Sequence, residues 1–233
     1  MSDFLALLEK NIGYEFSKRE LVIQSLTHKS YSNEQPGVVA HNERLEFLGD
    51  AVLELAVSDW VYHRYPEIPE GGLTRLRAEV VSEKGLCSVA KTLNLGAGLR
   101  LGRGEEKSGG RGKPSLLSDA LEAVLGAVYQ DGGFAAAYRV VETLFSAVIS
   151  QSANLSYGSD YKTCLQERFQ ARHNCLPEYH LVETSGPDHD RLFTVEVRFE
   201  NQLLGRGSGP SKKGAEQKAA AASLDHSLLK KEN

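Results

Sequence analysis

The sequence has few cysteines and no long run of apolar residues. Cys87, Cys164 and Cys175 are odd in number and widely spaced, which argues against a disulfide framework or a cysteine-rich metal site. No run reaches the roughly 18 apolar residues that a membrane-spanning helix needs, and the first residues lack the basic leader of a signal peptide. These absences predict a reduced, cytoplasmic protein with no membrane partner.

An excess of positive charge is also missing. The net charge is −4, whereas proteins that bind nucleic acids are often basic. Residues 1–150 carry 16 basic and 20 acidic residues, and residues 151–233 carry 11 of each. Any basic binding surface must therefore be local, because the average charge of neither half of the chain indicates one.

The first 150 residues predict an all-α domain. Apolar periodicity predicts a short amphipathic helix at the amino terminus and longer helices at 42–63, 73–93, 115–129 and 134–150. Turns are expected at 69–72 and 131–133, where glycines cluster, and a glycine-rich loop at 96–114.

The rest of the chain has a different pattern. Residues 151–159 are rich in Ser, Asn and Gly, and we interpret them as a linker. Residues 160–230 predict a small α+β domain in the order α-β-β-β-α. Its elements are a helix at 161–173, strands at 178–183, 192–200 and 202–207, and an alanine-rich helix at 211–229.

Acidic residues occur at helical spacing in two places. Glu43, Glu46 and Asp50 stand at i, i+3 and i+7 and therefore share one face of the helix at 42–63. Asp119 and Glu122 lie one turn apart and are the only charges in an otherwise apolar helix. A helix that is apolar on most sides is buried on most sides, so we expect these two carboxylates to be partly buried.

Carboxylates that meet at a buried seam repel each other. At about 4 Å and an effective dielectric of about 20, each close pair costs on the order of 4 kcal/mol. Protonation, pairing with bases or a bound cation would relieve this cost, and an oxygen-only ligand set favours Mg²⁺ or Mn²⁺. Ordinary solvated helix faces or helix salt bridges explain the same spacing, and on spacing alone the two interpretations are evenly balanced.

Several stretches of the first 150 residues resemble bacterial ribonuclease III. The run 42–53, Asn-Glu-Arg-Leu-Glu-Phe-Leu-Gly-Asp-Ala-Val-Leu, is similar to that family's signature stretch along its whole length. The resemblance continues in the family's order through 26–31, 70–78, 108–111, 118–123 and 131–133. It implies an endonuclease domain at 1–150.

The resemblance also implies roles for individual acids. The residues that match the family's metal-binding carboxylates are Glu46, Asp50, Asp119 and Glu122. Asp50 and Glu122 match the two that act most directly in hydrolysis, through a metal-held water. Glu43 and Glu70 match supporting acids near the dimer interface and the RNA channel, although Glu43 could equally be the structural partner of an arginine. His28, His41 and His63 have no metal-like spacing, and we interpret them as structural or surface residues.

An activity follows from the same resemblance. It implies a Mg²⁺-dependent endoribonuclease, with Mn²⁺ as a substitute, that forms a homodimer through the catalytic domain and cuts both strands of duplex RNA. The expected products carry 5′-phosphates, 3′-hydroxyls and short 3′ overhangs. The expected substrates are ribosomal RNA precursors and other structured transcripts.

Residues 160–230 resemble a double-stranded-RNA-binding domain, on the stretches 160–167, 186–193 and 211–220. Lys212 and Lys213 stand at a helix start, where the dipole and free N–H groups favour phosphate. Gln166 and Gln170, one turn apart, suit 2′-hydroxyls or base edges in the minor groove, and His189 suits the neighbouring minor groove. Such domains span roughly 16 base pairs and read shape more than sequence.

The sequence also allows two other functions, and it allows two interpretations of the loop 96–114. The chain could bind duplex RNA without cutting it, if the acids are structural, or it could be a metal phosphohydrolase for small molecules. The presence of all four carboxylates favours the nuclease. The loop 96–114 contains five bases and is either a basic loop near RNA or a solvated charged loop: Arg100, Arg103, Lys107, Arg111 and Lys113.

Overall fold

The chain divides into two compact units, Met1–Ala153 and Asn154–Asn233. A computed structural model describes residues 2–157, 161–187, 191–224 and 226. Each unit has its own hydrophobic core.

The described part of the first unit is helical, as the sequence predicts. Its helices are α1 (Ser2–Ile12), α2 (Arg19–Ser25), α3 (Lys29–Asn33), α4 (Glu43–Arg64), α5 (Glu70–Val80), α6 (Glu83–Thr92), α7 (Leu95–Gly98), α8 (Arg103–Lys107) and α9 (Pro114–Tyr157), with a 3₁₀ turn at Gly110–Gly112. A kink at Gly133, with φ 75°, divides α9 near the predicted turn at 131–133.

The turn predicted at 69–72 is wrong, because α5 begins at Glu70 and includes both glycines. The carbonyl oxygen of Pro69 accepts hydrogen bonds from the N–H groups of Gly72 and Leu73, at 2.8 and 3.1 Å. Pro69 is extended and lies just before the helix, where a proline costs no helical hydrogen bond. Backbone hydrogen bonding thus outweighs the low helix propensity of the two glycines.

The single helix predicted at 73–93 is two helices. Val81 ends α5, and the Ser82 hydroxyl caps α6 by accepting a hydrogen bond from the N–H of Gly85 at 3.1 Å. Gly85 packs so closely that an added Cβ would overlap the carbonyl oxygen of Val80. The apolar periodicity continues across the break between α5 and α6. Periodicity alone therefore cannot predict that two helices are present.

Residues 151–157, predicted as part of a linker, continue the helix α9 to Tyr157. They contain no glycine or proline, the residues that most strongly interrupt helices. Serine and asparagine lower helix propensity only slightly by comparison, and here they do not end the helix. The boundary between the compact units, after Ala153, consequently lies within a helix.

The helix α9 is the most apolar element of the first unit. By length and composition alone, its segment Pro114–Ala153 could cross a membrane. Leu121, Leu125 and Phe145 are fully buried within the core of this unit. The helix is therefore the central core helix of the first unit, and the absence of a membrane partner stays a prediction.

The second unit has the predicted order α-β-β-β-α. Its elements are α10 (Tyr161–His173), β1 (Glu178–Ser185), β2 (Leu192–Phe199), β3 (Gln202–Gly209) and α11 (Lys212–Ser223). The strands form one antiparallel sheet in the order β1-β2-β3. Leu165 and Phe169 of α10 are buried with Val195 and Val197 of β2 in a common core. An added Cβ at Gly207 would overlap the backbone of Ala219, which shows how closely α11 lies on β3.

Candidate active site

The helices α4 and α9 touch backbone to backbone where they cross. An added Cβ at Gly49 of α4 would overlap the carbonyl oxygen of Glu122, and one at Gly126 of α9 would overlap that of Leu45. Only glycine allows this approach. The crossing places the acidic face of α4 directly against the acidic turn of α9.

Three carboxylates meet beside this crossing. Oxygen atoms of Glu46, Asp119 and Glu122 lie within 4.8 Å of one another, and all three residues are half-buried. Two of the acids predicted from α9 and one predicted from α4 therefore converge. We call these three residues the acidic cluster.

Asp50, the fourth predicted acid, lies at the edge of the acidic cluster. It is exposed, and it does not belong to the group of mutually close oxygens. Its charge nevertheless raises the pKa values of Glu122 and Glu46. Asp50 is therefore close enough to act on the cluster electrostatically and is also accessible to solvent.

Burial raises the pKa values of all three cluster acids, and repulsion by neighbouring acids of the site adds to this for Glu46 and Glu122. Burial, followed by the charges of Asp50, Asp119 and Glu46, raises the pKa of Glu122 from 4.5 to about 8. Burial and then Asp119 raise the pKa of Glu46. Burial also raises the pKa of Asp119, against a smaller lowering by His28. Glu122 thus holds a proton near neutral pH when no cation is bound.

The alternative of helix salt bridges does not fit these acids. Among the described residues, no ion pair joins Glu46, Asp50, Asp119 or Glu122 to a lysine, arginine or histidine. Half-buried carboxylates without bases are costly. Of the three ways to relieve the repulsion, protonation and a bound cation are therefore left.

The acidic cluster suits a small, hard cation. Two oxygens bound to one Mg²⁺ at roughly 2.0–2.1 Å lie at most about 4.2 Å apart. The cluster oxygens are within 4.8 Å of one another, so side-chain adjustments of well under about 1 Å would bring them to one ion. Glu46, Asp119 and Glu122 are the residues that would hold it.

The two supporting acids lie outside the cluster. Glu43 pairs with Lys29 at 3.0 Å, which lowers its pKa, and lies 3.7 Å from His41. Its partner is therefore a lysine rather than the arginine considered from the sequence. Glu70 is exposed at the start of α5 and accepts a hydrogen bond from the Thr74 hydroxyl at 2.8 Å.

The loop predicted at 96–114 is wrong in part, because this segment contains most of α7, all of α8 and the 3₁₀ turn. Its bases are mostly engaged within the protein. Arg111 pairs with Glu106 and donates to the carbonyl oxygens of Gly96 and Leu99 at 2.8 and 2.9 Å. Lys113 pairs with Glu105 at 2.9 Å. A third base, Arg100, lies over the ring of Tyr31 at 4.3 Å. These contacts give three of the five bases a structural role, whereas Arg103 and Lys107 are exposed on α8.

The residues predicted to bind RNA lie on two helices of the second unit. The Ser211 hydroxyl caps α11 by accepting from the N–H of Gly214 at 3.1 Å, which leaves Lys212 and Lys213 exposed in the first turn. Gln166 is half-buried on α10. Gln170, exposed on the same helix, donates to Asn174 Oδ1 at 2.9 Å. His189 lies outside the described residues.

Contacts of Lys162 hold these two helices together, and they could not be predicted from the sequence. Lys162 of α10 pairs with Glu216 of α11 at 2.6 Å, and its N–H donates to the Gln217 side chain at 3.0 Å. The Lys162 ammonium also lies 4.6 Å from the ring centre of Tyr179. These contacts tie the start of α10 to α11, and their members are 54 and 55 residues apart.

Comparison with known proteins gives the same two-part organisation. Residues 18–148 match the model of a family described as Ribonuclease-III-like, and residues 161–226 match that of the double-stranded RNA binding motif. The chain is 52% identical to Ribonuclease 3 of Syntrophotalea carbinolica over 222 residues, which cover 95% of this chain and 96% of that protein. It is 50% identical to Ribonuclease 3 of Natranaerobius thermophilus over 218 residues, 94% of each chain.

A solved structure is similar to the first unit. The nuclease domain of ribonuclease III from Campylobacter jejuni matches with a TM-score of 0.56 and 43% identity. The match covers 61% of this chain and 99% of that one. It extends the sequence similarity to the arrangement of the helices.

The glycine crossing predicts a stability effect. Gly126→Ala should lower the free energy of unfolding by about 1–3 kcal/mol, because the new methyl group overpacks the α4 backbone. Urea unfolding followed by the fluorescence of Trp60, the single tryptophan, would measure it. Gly104→Ala is the matched control, since nothing lies within 4 Å of that position. Equal stability of the two variants would contradict the close crossing.

The raised pKa of Glu122 predicts a dependence of stability on pH. In chelator, the folded protein holds a proton between the unfolded pKa of 4.5 and the folded value of about 8, so stability falls as pH rises through this range. Glu122→Gln removes the effect and should be more stable than the parent at pH 8 by on the order of 2 kcal/mol. The difference should vanish below about pH 4. A difference that is constant from pH 4 to 8 in urea unfolding would refute this.

Proposed function

Because this chain belongs to the ribonuclease III family, we propose that its acidic cluster binds Mg²⁺ and hydrolyses phosphodiester bonds in both strands of duplex RNA. The chain is an endoribonuclease for double-stranded RNA, with a nuclease domain and a double-stranded-RNA-binding motif. One observation supports the metal proposal above the others. Three half-buried carboxylates converge at a helix crossing, and in the part of the chain that the structure describes no base pairs with them.

Each acid has a distinct part in this proposal. Glu46, Asp119 and Glu122 would hold the cation, and Glu122 would give up its proton when the cation binds. Asp50, which is exposed, would orient an attacking water. When bound, Mg²⁺ lowers the pKa of its water ligands and stabilises negative charge on a phosphate. Mn²⁺ should substitute, because it accepts the same oxygen ligands.

The products and substrates are part of the same proposal. Attack by water at phosphorus with departure of the 3′ oxygen gives 5′-phosphate and 3′-hydroxyl ends. Two offset cuts, one in each strand, would leave short 3′ overhangs. We propose ribosomal RNA precursors and other structured transcripts as substrates, in the cytoplasm.

An apolar stripe on α4 supports the proposed homodimer. Phe47, Leu55 and Tyr62 are 81%, 57% and 66% exposed, and with the exposed Ala51 they recur at helical spacing on one face. A stripe of this kind can pack against its own copy about a two-fold axis. It begins beside Glu46, so dimerisation would bring a second copy close to each acidic cluster. The similar nuclease domain of ribonuclease III from Campylobacter jejuni has a region involved in dimer formation.

Cleavage of a labelled RNA duplex tests the nuclease proposal. The parent should cut a long duplex in Mg²⁺ and leave it intact in chelator. Glu122→Gln should lower the rate by at least about 100-fold, because a bound metal contributes several kcal/mol to phosphoryl transfer. Duplex binding without metal should persist in the variant.

The control for this experiment is Glu142→Gln, an exposed carboxylate on the same helix, which should cut at the parental rate. An intact duplex with the parent in Mg²⁺ would instead support binding without cleavage. A small-molecule phosphohydrolase would not need the second unit. Catalytic activity and duplex affinity that are both unchanged after removal of residues 159–233 would therefore support that function.

The apolar stripe predicts a change in oligomeric state. Phe47→Glu places a charge at the first residue of the apolar stripe, within the proposed interface, and should raise the dimer dissociation constant at least about 100-fold, since buried unpaired charges cost several kcal/mol. Sedimentation equilibrium would measure it. Leu7→Glu, at a 52% exposed leucine of α1, is the matched control and should leave the dimer intact. A monomeric parent, or equal effects of both variants, would count against this interface.

A further inference from the structure

His28 is held rigidly next to the start of α4. Its N–H donates to the carbonyl oxygen of Arg100 at 3.0 Å. The carbonyl oxygen of the preceding Thr27 accepts from the N–H of Asn42 at 2.9 Å, and Asn42 is the residue before α4. Backbone hydrogen bonds therefore fix His28 between the Arg100 segment and the helix that carries Glu46.

Hydrogen bonds to one ring nitrogen fix the tautomer of His28. The Nδ1 atom accepts from the N–H of Ser30 at 3.2 Å and lies 2.8 Å from the Ser30 hydroxyl. That hydroxyl oxygen accepts from the N–H of Gly102 at 2.9 Å, so its own hydrogen is available to Nδ1. With Nδ1 as an acceptor, the neutral ring carries its proton on Nε2.

The ring lies among acids from three helices. When it is protonated, the ring lowers the pKa values of Asp119 on α9, Glu43 on α4 and Glu105 on α8. Asp119 belongs to the acidic cluster, whereas Glu43 and Glu105 pair with Lys29 and Lys113. Because Nδ1 is bound at the first turn of α3, Nε2 is the edge of the ring that points away from that helix.

Capping α3 does not by itself account for a histidine here. Ser, Thr, Asp and Asn are the favoured capping residues, and each would satisfy the Ser30 N–H without an imidazole. No hydrogen bond in the described ranges joins the His28 ring to Asp119 or another carboxylate. Nε2 is thus an N–H donor beside the acidic cluster, and among the described residues it donates no hydrogen bond to a carboxylate.

We propose that His28 positions the substrate, by donating a hydrogen bond from Nε2 to a non-bridging oxygen of the RNA phosphate at the acidic cluster. This inference rests on the proposed nuclease function. Carboxylates repel a phosphate, and within the described ranges no ion pair joins a cluster acid to a lysine or arginine. A fixed N–H donor at the edge of the cluster would orient the phosphate without neutralising the acids that hold the cation.

Two substitutions separate this role from capping. His28→Asn keeps an acceptor near the Nδ1 position, where asparagine is a good cap, but has no donor at Nε2. His28→Gln places an amide N–H near the Nε2 position and loses the cap. The measurements are the single-turnover cleavage rate in Mg²⁺ at saturating duplex, duplex affinity in Ca²⁺, and thermal unfolding.

A positioning role gives opposite results for the two variants. His28→Asn should unfold within about 2 °C of the parent and keep its duplex affinity, but cut roughly 10- to 100-fold more slowly, the penalty for a misplaced reacting group. His28→Gln should unfold at a lower temperature and retain most of the cleavage rate. In ¹⁵N-histidine spectra, the His28 Nε2 signal should shift when duplex is added in Ca²⁺.

The results that would overturn the inference are equally specific. Parental cleavage by His28→Asn, or a His28 Nε2 signal that duplex leaves unchanged, would reduce His28 to a helix cap while leaving the nuclease function intact. A parent protein that fails to cut duplex in Mg²⁺ would overturn the nuclease proposal and this inference together.

Discussion

The backbone contact between α4 and α9 is the constraint on which the site depends. Gly49 is three residues after Glu46, and Gly126 is four residues after Glu122, so each glycine lies one turn from a cluster acid on the same helix face. A side chain at either position would push the helices apart and separate Glu46 from the acids of α9. Close packing and the position of the carboxylates are therefore one property of the crossing, set by two residues that carry no chemistry of their own.

The hydrophobic core supplies the energy that holds mutually repelling acids together. Fully buried leucines on both helices, Leu53 on α4 and Leu121 and Leu125 on α9, belong to one core, and burial of each contributes about 1.5–3 kcal/mol. The cluster opposes folding whenever its acids are ionised without a cation. Local conflicts of this kind are expected at functional sites, where the rest of the structure offsets their cost. Loss of a proton from Glu122 and binding of a cation are consequently coupled, because each ionised carboxylate makes the cation more favourable.

Much of this organisation could be predicted from the sequence, and the failures have physical causes. Helical spacing correctly put Glu46 and Asp50 on one face, and Asp119 and Glu122 on another helix, but spacing within a helix does not determine which helices cross. The turn at 69–72 was wrong because local glycine content was outweighed by backbone hydrogen bonds from Pro69. Lys162 was missed because its partners are distant in sequence. His28, interpreted from spacing as structural or a surface residue, gains a chemical role only when the Ser30 contacts fix its ring.

Charge separates the tasks of the two units. The first 150 residues contain more acids than bases, and three of the five bases in the 96–114 segment are engaged within the protein, so this segment has little positive charge to offer RNA. We propose that affinity for phosphate comes from local features: the exposed Lys212 and Lys213 at the start of α11, and a cation bound at the acidic cluster. The Lys162–Glu216 pair fixes α10 against α11, and these are the two helices that carry the glutamines and lysines predicted to bind RNA. A net charge of −4 is thus compatible with RNA binding, because what matters is where a few lysines stand and not how many the chain contains.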